Sequence, residues 1–144
     1  MVSRLRRLTR REDGQALVEL SLCAGFLCLM LLAVWQIGQV FSNYIDLSEA
    51  AREGARAAAI SGAPTTTGDA ASFTAAQSDG VFAATNSASV PGMSVAITAV
   101  TTWTAGSRVR ATVSAPYSLS LFGVAVTSGT MSVSDDMRVH KQGS

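Results

Sequence analysis

Three residues near the N-terminus have the spacing for a proteolytic step followed by a charge pairing. Gly14 separates a charged tail from an apolar run, and Glu19 lies at the edge of that run. A glycine at such a junction gives a protease an extended, unhindered backbone. Cleavage after Gly14 would make Gln15 a free α-amine, with the Glu19 carboxylate about one helical turn away. Within one chain or between neighbours, these opposite charges could then neutralise each other in a medium of low dielectric constant.

Glu19 needs such a partner because of where it lies. A carboxylate costs about 2.5–3.5 kcal/mol at the centre of a membrane-spanning helix, and less near the interface. We therefore expect Glu19 to be paired with a positive charge or to lie in a protein interior.

The element that must position these residues is a membrane-spanning helix. Leu20–Ile45 carries no charged residue and exceeds the roughly 20 apolar residues that cross a bilayer. It also exceeds the ~7–15 residues of the apolar region in a cleaved secretory signal peptide. Basic residues precede the run and are absent after it until Arg52, so the positive-inside rule predicts a cytoplasmic N-terminus and an extracytoplasmic remainder. Five arginines set this orientation: Arg4, Arg6, Arg7, Arg10 and Arg11.

The helix is predicted to continue beyond the membrane. Residues 46–62 are rich in helix-forming Ala, Glu and Arg, and the run Gly62-Ala63-Pro64 is typical of a helix end. Small residues recur every four positions, a spacing that lets another backbone approach closely, although Ala also simply favours helices. These candidate packing residues are Ala50, Gly54, Ala58 and Gly62.

The remaining sequence predicts a small antiparallel sheet. Residues 63–93 form either a mobile Ala/Ser/Thr-rich loop or a short helix from Asp69 to about Ala84, with Phe73, Ala76 and Phe82 as its contacts. From Ser94 the apolar residues alternate with polar ones, most clearly over 109–115, which predicts a half-buried hairpin followed by a strand over about 130–139. The fold class is therefore α+β, a long N-terminal transmembrane helix and a sheet domain at 94–144.

The opening segment resembles the leader sequences of type IV pilins and pseudopilins, which share a basic leader, a Gly before the cleaved bond and a Glu five residues later. The stretch GQALVEL at 14–20 and the stretch AAREGARAAA at 50–59 are more specifically similar to the TadE-like family of the tight-adherence (Tad) pilus system. The last strand, with MSVSDDMRVH, is similar as well. In place of the acidic and basic residues that the family often has near the end of the span, this chain has Gln36 and Gln39.

That resemblance implies a minor pseudopilin that takes part in pilus biogenesis. A prepilin peptidase would remove the leader, residues 1–14, by cutting between Gly14 and Gln15. The mature helix would cover 15–62, with about 17–45 in the membrane and 46–62 outside it. Glu19 would pair with the α-amine of Gln15 in a neighbouring subunit and set the axial register. The implied partners are the peptidase, other pilin and pseudopilin subunits, the assembly platform and the lipid bilayer.

Other functions fit the sequence less well. An enzyme is not expected, because the chain has one histidine, His140, no phosphate-binding glycine loop and no metal-ligand spacing, so no cofactor or small-molecule substrate is predicted. Nucleic-acid binding is not expected, because the arginines precede no basic domain with interleaved aromatics. A major pilin is disfavoured, because this chain is longer than Tad major pilins. The alternative left open is an unprocessed, signal-anchored single-pass subunit of a membrane or secretion complex.

Overall fold

The computed structural model describes residues 2–61, 70–121 and 124–141. The chain is an α+β protein, as predicted, with a long apolar helix and a three-stranded antiparallel sheet. Five elements follow one another along the chain: helix α1 (Val2–Ile60), helix α2 (Ala70–Ser87), and strands β1 (Ser94–Ala99), β2 (Arg108–Leu121) and β3 (Val124–Arg138).

Helix α1 is longer than expected at its N-terminal end. The helix is expected over 15–62, but α1 begins at Val2 and passes through Gly14 without interruption. The leader is rich in Arg, a strong helix former, and a single internal glycine costs only about 1 kcal/mol. The helix ends at Ile60, where the Ser61 amide still donates to the Ala57 carbonyl at 3.1 Å. The predicted terminating run at 62–64 lies outside the described residues.

The chain divides into two compact units, Met1–Gly38 and Gln39–Ser144. In the first unit most of the described apolar side chains are exposed, including Leu22, Phe26 and Leu31. By length and composition the helix Gly14–Ile60 is able to cross a membrane. An exposed apolar surface of this extent has no favourable environment in water, whereas lipid chains supply one.

The second unit is built on a sheet with strand order β1-β2-β3. The predicted hairpin is present, with Ser94 opposite Ser114 and Ala99 opposite Val109. Strands β2 and β3 pair from Arg108 opposite Arg138 as far as Leu121 opposite Val124. The sheet therefore has a body of three strands and an extension in which β2 and β3 continue as a pair.

Both strands of that extension are longer than the sequence predicts. A looser stretch is expected after Pro116, and the last strand near Thr130, but β2 continues to Leu121 and β3 begins at Val124. Proline is tolerated where a strand has lost its neighbour, since its missing N–H then breaks no ladder hydrogen bond. The Arg108 carbonyl oxygen accepts a hydrogen bond from the Val100 N–H. The backbone N–H and C=O groups of the even-numbered β2 residues therefore point towards β1. Pro116 is the next even-numbered residue after Ser114, which is the last β2 residue opposite β1. The missing N–H of Pro116 therefore faces no neighbouring strand on that side.

The core lies between one face of the sheet and the two helices. Near one end of the sheet, Ala55, Ala58 and Ala59 of α1 cluster with Val109 and Ala111 of β2. Near the other end, the corresponding cluster is Leu47, Ala50 and Ala51 with Val113 and Ala115. The buried face of α1 is thus made mainly of alanine, so the helix backbone lies close to the sheet.

Residues 70–87 form a helix, one of the two structures left open for this region. Ala76, Gly80 and Ala84 of α2 are buried, and Phe73 packs on Trp103 with ring centroids 5.1 Å apart. Phe82 was expected to be a contact, and this prediction is wrong, because its side chain is 69% exposed. Phe82 lies two residues after Gly80, which is a rotation of more than half a turn around the helix. Its side chain is therefore on the face of α2 away from the buried residues Ala76, Gly80 and Ala84.

Candidate functional site

The predicted processing segment is helical and accessible. The side chains of Gln15 and Glu19 are exposed, and they lie on successive turns of α1. A Cβ added to Gly14 would meet no atom within 4 Å. The expectation of an extended backbone at Gly14 is therefore wrong for this structure. The glycine is unhindered, but its backbone is in the α conformation.

An apolar surface surrounds Glu19. Leu17, Val18 and Leu20 are each about two-thirds exposed. The Ser21 hydroxyl donates to the Val18 carbonyl at 2.8 Å, so this polar group is satisfied within the helix. A carboxylate on such a surface would be costly in lipid unless a positive charge accompanied it.

The remaining N-terminal features are the arginines of the leader and two cysteines of the apolar run. All five arginines of the orientation cluster lie within α1, on the side of Gly14 away from the apolar run. Cys23 and Cys28 are free thiols on the exposed surface of the helix. Among the residues that the structure describes, no His, Cys, Asp and Glu side chains group in a way that could hold a metal ion.

The predicted helix-packing residues are brought together with α2 and the sheet. Ala50, Gly54 and Ala58 are buried, whereas Gly62 lies outside the described residues. A Cβ added to Gly54 would stand 3.0 Å from the Ala84 Cβ and 3.1 Å from the Gly80 carbonyl oxygen. These residues thus face another segment of the same chain, where they allow two helices to cross closely.

Polar contacts at the margin of the core fix α2 and the end of α1. The Gln77 amide donates to the Ile97 carbonyl of β1 at 2.8 Å, and the Trp103 indole N–H donates to the Ser72 hydroxyl at 3.0 Å. The Ser61 hydroxyl donates to an Asp79 carboxylate oxygen at 2.6 Å. These directional contacts orient helices whose alanine-rich surfaces alone would define their position weakly.

The outer face of the sheet carries a bidentate ion pair between cross-strand neighbours. Arg110 donates from Nε and Nη2 to the two carboxylate oxygens of Asp136, at 2.6 and 2.9 Å. The hydrogen bond from Arg110 holds the pKa of Asp136 below its ordinary value. Asp135 is opposite Ala111 on the other face of the strand. The two aspartates therefore point to opposite faces and do not form a carboxylate dyad.

Two structurally important glycines were not identified from the sequence. Gly80 faces Gly54 across the helix crossing, and Gly129 lies under the ring of Tyr117, where an added Cβ would be 2.9 Å from a ring carbon. An isolated glycine within a helical or strand pattern signals close approach of another group. Gly80 and Gly129 are both glycines of this kind, but the sequence does not indicate which residues would approach them.

The comparisons with known proteins bear on the N-terminal part of the chain. Residues 14–56 match the family model described as TadE-like protein, a match that starts at Gly14 and ends within α1. Searches of the curated proteins and of the solved structures gave no significant match. The matched region contains the first of the two sequence stretches on which the resemblance depends and residues 50–56 of the second, so this part of the chain is similar to TadE-like proteins.

Proposed function

We propose that the chain is a minor pseudopilin of a Tad pilus assembly system. It is inserted in the inner membrane by α1, with its arginine-rich leader in the cytoplasm and its sheet domain outside. A prepilin peptidase cleaves the bond between Gly14 and Gln15. The observation that carries this proposal is the match of residues 14–56 to the TadE-like family, which begins at the glycine where cleavage is expected.

Cleavage requires a local change in α1. The peptide bond to be hydrolysed lies within a helix, and proteases act on extended backbone. Glycine is about 1 kcal/mol less favourable than alanine in a helix, so Gly14 lowers the cost of unwinding α1 at the bond to be cleaved. Hydrolysis then releases a leader that ends in the Gly14 carboxylate and a mature chain that begins with the Gln15 amine.

The new amine supplies the charge that Glu19 lacks. In a neighbouring subunit, a protonated α-amine at the depth of Glu19 would form an ion pair of low solvent exposure, and its geometry would fix the axial register. An N-terminal glutamine can cyclise and lose its charge. N-terminal methylation, which occurs in many pilins, would prevent cyclisation and preserve the pair.

The extracytoplasmic domain has a supporting role in this proposal. It folds on the part of α1 that follows the membrane, and it would contact other pilus subunits. Apolar packing between the exposed faces of neighbouring α1 helices would supply most of the cohesion, with the polar pair at Glu19 selecting one register.

The decisive experiment is determination of the mature N-terminus. The full chain is expressed in bacterial membranes with and without an active prepilin peptidase, and its first residue is read by mass spectrometry. We expect a peptidase-dependent start at Gln15, and loss of that product in the variant Gly14→Ala.

The control variant Gly25→Ala changes a glycine within the same helix and leaves the proposed cleavage site intact. It is expected to be processed normally. A leader that remains attached in the presence of active peptidase would overturn the proposal. That result would favour an unprocessed, signal-anchored subunit of a membrane or secretion complex.

A further inference from the structure

The extension of the β2–β3 pair forms a two-stranded arm, made of residues 116–121 and 124–130. Strand β1 begins at Ser94, opposite Ser114, and does not extend along the arm, so within the described part of the chain the arm has no third strand. All its β3 residues are exposed, and Val124 and Val126 are 69% and 61% exposed. Isolated two-stranded hairpins are only marginally stable in water, so contact with another surface would stabilise this arm.

The packing of the second unit defines the direction of the arm. Along β2, Val109 clusters with Ala59 of α1, whereas Ala115 clusters with Leu47. Strand β2 therefore runs antiparallel to α1, and the arm continues towards the membrane end of this helix. The four residues from Ala115 to Leu119 cover about 13 Å, which is the rise of roughly nine helix residues. The arm thus reaches the level of residues 39–45, the last part of the uncharged run.

The composition of the arm suits a lipid surface. No charged residue occurs between Arg110 and Asp135, whereas the body of the sheet carries charges on its outer face. The register shifts after Leu119, which is opposite Thr127, to Ser120 opposite Ala125. Val126 is the extra residue of this bulge. The consecutive exposed residues Val124, Ala125 and Val126 consequently form the apolar tip.

We propose that this apolar tip inserts into the leaflet from which α1 emerges and gives the protein a second membrane contact. The inference rests on the proposed membrane insertion of α1. Continuity favours lipid as the occupant, because the arm passes the level where Phe41, Tyr44 and Ile45 of α1 are exposed before it ends in the tip. Aromatic and apolar side chains at this level form the interfacial belt of a membrane helix.

The backbone of the arm sets the depth of insertion. Both edges of a two-stranded pair present unpaired N–H and C=O groups, which are too costly to place in the hydrocarbon centre. Ser118 and Ser128 add hydroxyl groups that prefer water or lipid headgroups. The tip therefore lies at the boundary between headgroups and acyl chains, while the rest of the arm remains among the headgroups.

The proposal is tested with environment-sensitive probes on the full chain. Cys23 and Cys28 are changed to alanine, and single cysteines are introduced as Val126→Cys, Val100→Cys or Leu31→Cys. Each variant is labelled with NBD and reconstituted in phosphatidylcholine–phosphatidylglycerol vesicles, with or without lipids brominated on the acyl chains. Val100 is the matched control, because it is also an exposed valine but lies at the opposite end of the sheet. Leu31 reports on the membrane span itself.

We expect blue-shifted emission, quenched by brominated lipid, from the probe at 126 and from the probe at 31. The probe at 100 should emit as in water and remain unquenched. A water-like, unquenched probe at 126 beside a quenched probe at 31 would overturn the lipid contact and leave the proposed function intact.

Two further outcomes also overturn the proposal. A probe at 126 that is blue-shifted but unquenched, with a shift that grows as the protein-to-lipid ratio rises, would assign the tip to contact with a second copy. An unquenched probe at 31 would show that α1 does not enter the membrane, so the proposed function would fail together with the inference. Circular dichroism of each variant verifies that the sheet is folded. If the variant Val126→Cys does not fold, Val124→Cys provides a second probe position at the tip.

Discussion

Gly54 of α1 and Gly80 of α2 each occupy the space in which the other's β-carbon would stand. A Cβ on Gly80 would be 2.8 Å from the Gly54 carbonyl oxygen, and a Cβ on Gly54 would be 3.1 Å from the Gly80 carbonyl oxygen. The obstructing atoms belong to helix backbones, which cannot move aside as a flexible side chain can. The separation of the two helices is therefore set by this pair.

The variant Gly80→Ala should destabilise the domain. Alanine improves helix propensity by about 1 kcal/mol, but overpacking against backbone costs about 1–3 kcal/mol, so we expect a net loss. The measurement is thermal unfolding of the full chain in detergent, followed by far-ultraviolet circular dichroism. The control is Gly38→Ala, which gains the same propensity in open space. Equal or higher melting temperatures for both variants would contradict the close crossing.

The Tyr117–Gly129 contact makes a prediction about the arm. The variant Gly129→Ala should displace the Tyr117 ring, because an added Cβ would lie 2.9–3.1 Å from three of its atoms. Aromatic rings that cover strand glycines stabilise such pairs, and we expect a cost of about 1 kcal/mol. A double-mutant cycle with Tyr117→Ala isolates the effect, since Gly129→Ala should be nearly neutral once the ring is absent. Additive changes in the free energy of unfolding would refute the contact.

The Arg110–Asp136 pair predicts a dependence of stability on pH. The folded state lowers the pKa of Asp136, so the stabilisation is complete above the ordinary carboxyl pKa and is lost as pH falls through the lowered value. We expect the difference in melting temperature between the natural chain and Asp136→Asn to be small at neutral pH and to shrink in acid, because the pair is partly exposed. The variant Arg110→Lys, which keeps the charge without the bidentate geometry, should lose most of the effect. A difference that stays constant into strong acid would contradict this assignment.

Glu19 is predicted to act after processing and not in it. The variant Glu19→Gln should be cleaved at Gly14 normally, but its co-purification with other pilins from Tad-pilus-producing cells should fall about tenfold or more, since 1.4 kcal/mol corresponds to tenfold in an equilibrium constant. Glu19→Asp, which keeps the charge, should retain much of the association. Loss of cleavage in Glu19→Gln, or unchanged co-purification, would argue against a pairing role.

The sheet body was predictable because its signal is local. The alternation of Val109, Ala111 and Val113 with polar residues has the period of a strand with one buried face, and it needs no knowledge of distant partners. The long apolar helix was predictable for the same reason. Its extension to Val2 was not, because the predicted start was placed at the apolar run, whereas the charged leader has helix propensity of its own.

The differences elsewhere have tertiary causes. Pro116 is compatible with a continuing strand only because β1 does not extend as far as Pro116. The extent of β1 is a property of the whole sheet and cannot be read from residues 110–120. Phe82 is expected to be a contact because it is apolar, but the buried face of α2 is a row of small residues, Ala76, Gly80 and Ala84. The predicted processing and pairing roles of Gly14, Gln15 and Glu19 remain predictions, because they depend on a peptidase and on a neighbouring subunit.

The alanine and glycine surface shared by α1, α2 and the sheet also limits how this protein can vary. Apart from Leu47, the fully buried positions of α1 already carry nearly the smallest side chains available. A smaller side chain at these positions removes little buried volume, whereas almost any larger side chain would clash with backbone or with a neighbouring β-carbon. Random mutagenesis should therefore give a one-sided profile over residues 50–59, in which glycine and serine are accepted at the buried alanines, only glycine is accepted at position 54, and larger residues are lost. The exposed positions between them are expected to accept a wide range of residues.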